Sequence, residues 1–153
     1  MVILDDCSRY VVGWGLMDTK HSSNTAAVLE NALRRFGPIA FFFTDNGTEF
    51  KGELTEVARK HDIMRLFTCP RNPEQNGKVK RFWPLFEKSC NVPEDIPKFM
   101  ESYNRMVHMG LNKFARYQPT PLDMYRRNSP WARGQKAMWE VDGVLIEMPG
   151  QFY

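Results

Sequence analysis

The sequence of 153 residues has few of the residues that mark disulfide-bonded or zinc-binding proteins. Its three cysteines, Cys7, Cys69 and Cys90, are widely spaced and odd in number, which argues against a disulfide framework and fits a reducing compartment. Its three histidines are isolated, so zinc-finger spacing is absent. No apolar run approaches the roughly 18 residues of a membrane helix, and no signal-peptide pattern opens the chain. We therefore expect an intracellular protein without a membrane partner, nuclear if its source is eukaryotic.

The composition is that of one folded domain. Hydrophobic residues make up 42% of the chain, which argues against disorder, and a chain of this length can bury a core. The formal net charge of +3 permits nucleic acid as a partner without requiring it.

Hydrophobic periodicity and turn residues predict the order strand, strand, helix, strand, helix, strand, which is typical of an α/β domain. The first two strands form a hairpin, and Ser22, Ser23 and Asn24 are candidate N-caps for the first helix. These elements lie at about residues 1–6, 10–17, 22–36, 39–43, 54–61 and 63–68. Three more helices, the first kinked by Pro84, and one strand are expected at about residues 78–90, 95–111, 121–127 and 144–148.

Asp45 is placed where a functional carboxylate would be useful. It follows the apolar run Ile39–Phe43, which predicts a strand buried on both faces, and it precedes the turn-forming pair Asn46-Gly47. A carboxylate at the mouth of a buried strand can hold a metal or contact a phosphate. An ordinary hairpin is the alternative, because Asn-Gly between apolar runs favours one. The residues alone leave both interpretations open.

Four blocks of sequence, taken in order, resemble the catalytic core of retroviral-type integrases and related transposases. They are Leu4–Trp14, Thr44–Phe50, Asn72–Val79, and a downstream group of Tyr103-Asn104, His108, Leu111 and Thr120-Pro121. The resemblance covers about Ile3 to Tyr125 and implies a ribonuclease H-like fold, in which helices flank a five-stranded mixed sheet. It implies metal-dependent DNA 3′-end processing and strand transfer, as in transposable elements. It divides the chain into an integrase-core-like domain at 1–128, N-terminally truncated, and a C-terminal tail at 129–153.

The resemblance also implies a damaged metal site. The family holds Mg²⁺ or Mn²⁺ with two Asp and one Glu, and Asp45 matches the second Asp. The first Asp would lie on a strand preceding Met1, and Lys80 stands at the Glu position. Asp45 and Lys80 together have no formal charge, whereas three carboxylates carry −3. An ammonium ~4 Å from a divalent ion repels it by about 8 kcal/mol at an effective dielectric of 20. We therefore expect weak or no metal binding at Asp45 and impaired catalysis.

The sequence leaves two other hypotheses open. An active strand transferase would need a recruited carboxylate, for which the candidates are Asp5, Asp6, Glu49 and Glu87. In the family pattern Asp5 belongs to the second strand and is not a metal ligand. A co-opted interaction scaffold, without catalysis, would use only the fold.

The segment around the Lys80 position is basic. Between Arg71 and Lys88 there are five basic and two acidic residues, and phosphate binding is the functional interpretation. The residues expected to contact DNA are Arg71, Gln75, Asn76, Lys78, Lys80 and Arg81. A solvated helix face is the alternative. The aromatic residues at positions 82, 83 and 86 are expected to pack in the core rather than stack on bases.

Loss of the first strand would have a structural consequence. The family places that strand at the centre of the sheet, between the opening hairpin and the strand at Ile39–Phe43. Its loss exposes two strand edges and a strip of apolar surface. We therefore expect homo-oligomers, association through strand edges, or direct pairing of the hairpin with residues 39–44.

Overall fold

The computed structural model describes residues 1–68, 77–114 and 118–128, together with the backbone of two strands at 138–141 and 144–147. The strands are β1 (Val2–Leu4), β2 (Val11–Trp14), β3 (Phe41–Thr44), β4 (Met64–Phe67), β5 (Met138–Val141) and β6 (Val144–Glu147). The α-helices are α1 (Ser22–Phe36), α2 (Glu53–Lys60), α3 (Gly77–Ser89), α4 (Ile96–Arg105) and α5 (Pro121–Asn128). The predicted α/β order is confirmed. Within the described residues, no helix is both long and apolar enough to cross a membrane.

The strands form three two-stranded ladders. β1 and β2 pair antiparallel with Ile3 opposite Gly13, which confirms the opening hairpin. β3 and β4 pair in parallel with Phe43 opposite Leu66, and α2 lies in the connection between them. Since β3 runs parallel to the next strand, the hairpin alternative for Asn46-Gly47 is wrong. The third ladder is the antiparallel pair β5–β6.

Helix α1 forms because its apolar residues recur at helical spacing. Ala26, Leu29 and Leu33 are all buried on one face. The helix ends at Gly37, whose backbone φ of 83° favours glycine and whose N–H donates to the carbonyl of Leu33 at 3.0 Å. The predicted side-chain N-cap is absent. His21 occupies the cap position, and the Ser22 hydroxyl instead accepts a hydrogen bond from the N–H of Glu53, at the start of α2.

Helix α4 is shorter than the sequence predicts. It ends at Arg105, because Met106 adopts an extended backbone and its N–H donates to the carbonyl of Tyr103. The N–H of His108 then donates to the carbonyl of Pro119 at 3.2 Å, which ties this segment to the approach to α5. After Arg105 the chain thus forms a tertiary hydrogen bond instead of a further turn of helix. The predicted cap of α5 is present, since the Asp123 N–H donates to Thr120 Oγ1 and the Thr120 N–H donates to the Asp123 carboxylate.

Two buried clusters form the core, one on each side of the hairpin. Helices α1 and α2 enclose the first cluster, to which Ile3 of β1 and Phe42 of β3 both belong. Helices α3 and α4 enclose the second, which includes Val11 of β2 and Phe82 of α3. The hairpin is therefore sandwiched between two helical layers.

The two N-terminal ladders do not join into one sheet. Ile3 and Phe42 pack in the same cluster, so β1 and β3 both lie on the α1–α2 layer. No strand among the described residues pairs with β1 and β3 together, and the two strands do not pair with each other. The expected break in the sheet is thus present, and direct pairing of the hairpin with residues 39–44 does not occur. On β3, beside the break, Phe43 remains 42% exposed, so the prediction that this strand is buried on both faces is wrong.

Candidate active site and nucleic-acid interface

Asp45 lies where β3 ends, as the sequence predicts. Its side chain is exposed, and its Oδ1 accepts a hydrogen bond from the N–H of Gly47 at 3.0 Å. This local bond closes the turn that directs the chain away from the strand. Asp45 is therefore an accessible carboxylate at the carboxyl end of a parallel strand.

Glu49 brings a second carboxylate to this turn. A Cβ added at Gly47 would lie 2.5 Å from Glu49 Oε2 and 3.0 Å from Asp45 Oδ1. The two carboxylates therefore flank Gly47 within a few ångströms of each other. The 3₁₀ turn Thr48–Phe50 positions Glu49, and Thr25 of α1 fixes it by donating its hydroxyl to the Glu49 carbonyl at 2.5 Å. The sequence indicates Glu49 only as one of four candidate carboxylates, because residue spacing does not reveal the geometry of the turn.

The donor set at Asp45 does not fit a pair of divalent ions. Among the described residues no three Asp, Glu, His or Cys side chains come together as a metal-binding group. Mg²⁺ demands near-octahedral oxygen coordination, and a two-ion site needs ligands for both ions. Asp45 and Glu49 alone are too few.

Lys80 lies in the first turn of α3 with its side chain exposed to solvent. None of the four ion pairs among the described residues joins Lys80 to Asp45. The predicted pairing of Lys80 with Asp45 is therefore absent. Because water surrounds the ammonium, solvent screening makes the repulsion of about 8 kcal/mol an upper limit.

The aspartates of the hairpin turn already have partners. The Asp5 carboxylate accepts hydrogen bonds from the N–H and the hydroxyl of the buried Ser8, at 2.7 and 2.6 Å. Asp6 pairs with Lys78, whose Nζ lies 2.5 Å from its Oδ2. Glu87 is exposed seven residues beyond Lys80, about 10 Å along α3. Since Asp5 and Asp6 have other partners and Glu87 is distant, Glu49 is the candidate carboxylate best placed to bind a metal ion with Asp45.

A basic surface surrounds the start of α3. Lys78 bonds both the carboxylate and the carbonyl of Asp6, which joins α3 to the hairpin turn. Arg81 is exposed one turn later. Burial, and then the nearby charges of Arg9 and Arg81, lowers the pKa of His108, so both arginines lie near this ring. The basic surface is therefore Arg9, Lys78, Lys80 and Arg81.

Sequence reasoning missed Arg9 and named residues that the structure does not describe. The sequence feature that could have indicated Arg9 is its place in the turn Cys7-Ser8-Arg9. Its backbone φ there is 65°. Three of the six expected DNA contacts, Arg71, Gln75 and Asn76, lie outside the described residues.

Aromatic residues beside the basic surface pack rather than project. Phe82 is fully buried, with its ring centroid 5.7 Å from Phe99 and 5.0 Å from Tyr103. Trp83 and Phe86 are partly buried against the same cluster. Burial raises the pKa of Tyr103. Core packing, the predicted role of the aromatics on α3, is confirmed.

Asn104 has a structural role that spans the fold. Its Oδ1 accepts the N–H of Val11 at 2.8 Å, and its Nδ2 donates to the Val11 carbonyl at 3.4 Å. The side-chain amide thus occupies the outer edge of β2 as a neighbouring strand would. His108 is structural too, since its Nδ1 accepts the N–H of Gly110 at 3.2 Å.

Comparison with known proteins identifies this arrangement. Residues 1–73 match the family model of the integrase core domain. The fold is that of a retroviral integrase catalytic core. The BIV integrase catalytic core domain superposes with a TM-score of 0.64 at 17% identity, covering 82% of this chain and 84% of that one. No curated protein sequence gives a significant match.

Two other integrase structures show the same fold. The HTLV-2 integrase catalytic core domain, a dimeric form in complex with magnesium, superposes with a TM-score of 0.62 at 20% identity, covering 81% of each chain. A chain of the simian T-cell lymphotropic virus intasome, in complex with the PP2A regulatory subunit B56 gamma, gives a TM-score of 0.67 at 19% identity. That alignment covers 97% of this chain but only 59% of the viral one. The predicted resemblance to integrase cores is confirmed.

Proposed function

We propose that this integrase-core-like chain belongs to the DNA integration and transposition class, binds nucleic acid and is catalytically impaired. The observation that carries the proposal is the composition of the site at the end of β3. Asp45 lies at the end of β3, the described residues bring one further carboxylate, Glu49, beside it, and the resemblance assigns Lys80 to the position of the family's helical carboxylate. Residues 1–128 would form the integrase-core-like domain and residues 129–153 a tail, inside the cell and in the nucleus of a eukaryotic source.

The basic surface supports the nucleic-acid part of the proposal. Lys78, Lys80 and Arg81 project from the first turns of α3, and Arg9 of the hairpin turn adds a fourth cation. Exposed cations such as Lys80 and Arg81 supply phosphate contacts, which give salt-dependent binding without sequence preference. The exposed Arg81 is the strongest single candidate, since Lys78 shares its charge with Asp6.

DNA binding is tested by measuring the dissociation constant for a short duplex over a range of salt concentrations. We expect Arg81→Ala to weaken binding several-fold and to reduce the salt slope by about 1, as loss of one phosphate contact does. Lys88→Ala is the matched control, because it removes one exposed cation at the far end of the same helix. Equal effects of the two variants would show that binding is not centred on the basic surface, and no binding at low salt would favour the co-opted scaffold instead.

The impaired site is tested by a strand-transfer assay with Mg²⁺ or Mn²⁺. The HTLV-2 core structure is in complex with magnesium, but in this chain the described donors around Asp45 are too few to hold two metal ions. We therefore expect no activity above background with either metal. Activity that Asp45→Asn abolishes would overturn the proposal.

Glu49 favours an active strand transferase as a second candidate function. Its carboxylate lies beside that of Asp45 at Gly47. Of the four candidate carboxylates it is therefore the one best placed to share a metal ion with Asp45. If the assay detects activity, Glu49→Gln should remove it while Glu87→Gln should not. Partners would then include DNA and further copies of the chain, as the dimeric form of the HTLV-2 core illustrates for that protein.

A further inference from the structure

The hairpin turn places a carboxylate at the edge of the basic surface. The Nζ of Lys78 lies 2.5 Å from Oδ2 of Asp6 and 3.2 Å from the Asp6 carbonyl oxygen. We call these two residues the turn–helix pair. An ammonium has three N–H donors, so two of the donors of Lys78 are directed at Asp6.

The hairpin turn does not depend on the Asp6 side chain. The Asp5 carboxylate holds the turn by accepting the N–H and the hydroxyl of Ser8, and the Arg9 N–H donates to the Asp5 carbonyl at 2.9 Å. The Asp6 side chain is 85% exposed, and its carboxylate bonds Lys78. An uncharged side chain at position 6 is therefore expected to leave the turn intact.

The Asp6 carboxylate opposes the binding of a phosphate to Lys78. Two acceptors that bond the same ammonium lie about 4–5 Å apart. At about 5 Å, two negative charges repel each other enough to weaken binding about fourfold even in water. A phosphate that reaches Lys78 must therefore displace the Asp6 carboxylate or bind more weakly beside it.

We propose that Asp6 is an internal competitor for the phosphate groups of nucleic acid, and that bound nucleic acid opens the turn–helix pair. The proposal rests on the proposed function, since it concerns binding at the same basic surface. Exposed ion pairs add little to stability, so a phosphate can displace the carboxylate readily. The alternative is that Asp6 orients Lys78 toward nucleic acid. The two roles predict opposite signs, because loss of a competitor strengthens binding and loss of an orienting group weakens it.

The first test compares the dissociation constants of the parent chain and Asp6→Asn for a short DNA duplex over a range of salt concentrations. We expect Asp6→Asn to bind about three- to tenfold more tightly at low salt. Its salt slope should steepen by up to about 1, because Lys78 then neutralises a phosphate instead of a carboxylate. Asp62→Asn is the matched control, since it removes an exposed carboxylate just beyond α2 and changes the net charge equally. Unchanged or weaker binding by Asp6→Asn, or an equal gain in Asp62→Asn, would contradict the proposal.

A double-mutant cycle tests whether the gain acts through Lys78. In the Lys78→Ala background, Asp6→Asn should give less than about half of its gain in log Kd, because the ammonium that both acceptors share is gone. In the Lys80→Ala background the full gain should remain, since the ion pair of Asp6 is with Lys78. A gain that is as large without Lys78 would show that Asp6 acts only through the overall charge, and the proposal would be wrong.

NMR of the lysine ammonium groups follows the turn–helix pair directly. The Lys78 signal is assigned by its loss in Lys78→Ala. We expect this signal to differ between the parent chain and Asp6→Asn when both are free, and to coincide when both are saturated with duplex. A difference of the same size in the complexes would show that the pair stays closed, which contradicts the proposal.

Failure of the proposed function has a different signature from failure of this proposal alone. If no variant binds the duplex at low salt, the nucleic-acid part of the proposed function is wrong and the competitor role of Asp6 is wrong with it. If the parent chain binds the duplex and Asp6→Asn does not bind it more tightly, only the competitor role is wrong.

Discussion

Phe82 is the side chain on which the α3–α4 layer depends most. It is fully buried, and its ring contacts Phe99 and Tyr103 across the helix pair. We expect Phe82→Ala to lower the free energy of unfolding by about 3–5 kcal/mol, because it removes a buried ring and leaves a cavity. Urea denaturation measures the loss. Leu85→Ala is the matched control on the same helix, where the side chain is 40% exposed and the loss should stay below about 1 kcal/mol.

His108 makes the stability of the chain depend on pH. Burial, and then the charge of Arg9, lowers its pKa below the ordinary histidine value of about 6.5. The unfolded chain therefore binds a proton at His108 more readily than the folded chain does. The free energy of unfolding should fall as the pH drops below about 6.5, and this loss should level off below the folded pKa.

His108→Asn isolates that effect. The asparagine does not titrate, and its side-chain oxygen can still accept the N–H of Gly110, as Nδ1 of His108 does. Urea unfolding at pH 7.5, 6.5 and 5.5 should show a decline in the parent chain that is smaller in the variant. Equal declines in both would assign the pH dependence to other groups.

At the scale of elements, Asn104 joins α4 to the outer edge of β2. Its amide satisfies the N–H and the carbonyl of Val11, which is buried. We expect Asn104→Ala to cost about 1–3 kcal/mol, because a half-buried backbone N–H loses its acceptor. Amide exchange at Val11 should accelerate accordingly. Asn104→Asp is the comparison variant: it keeps an acceptor for the Val11 N–H but turns a carboxylate oxygen toward the Val11 carbonyl, so exchange at the Val11 amide should accelerate less than in Asn104→Ala.

Local sequence predicted the elements better than it predicted their contacts. Apolar spacing located α1, α3 and the buried ring of Phe82, and the strand–turn boundary located Asp45. Such features depend on a few neighbouring residues. The contact between Asn104 and Val11 spans 93 positions, and no local pattern encodes it.

The same difference between local patterns and long-range contacts explains where the structure departs from the predicted helix ends. Ser22 looked like the cap of its own helix but bonds Glu53 at the start of α2. Apolar spacing favoured continuing α4 past Arg105, but the hydrogen bond between His108 and Pro119 holds the chain in another conformation. Glu49 comes beside Asp45 through the geometry of one turn. The first two corrections are tertiary contacts that replace a local preference, whereas the third is a local turn geometry that residue spacing does not reveal.

At the scale of the whole molecule, side chains rather than backbone bonds join the two N-terminal ladders. β1 and β3 belong to separate ladders, and both place residues in the cluster under α1. Leu29 lies in that cluster and is fully buried. If the cluster is the main coupling between the ladders, a cavity at Leu29 should loosen both together.

Leu29→Ala tests that coupling. We expect the free energy of unfolding to fall by about 2–5 kcal/mol, the usual range for a buried leucine. Amide exchange should accelerate in β1 and in β3 to a similar degree, because one cooperative unit contains both. Asn31→Ala, an exposed position on the same helix, controls for helix propensity and should change neither ladder. Acceleration in only one ladder would show that each half-sheet is stabilised by its own contacts, and that α1 supports them independently.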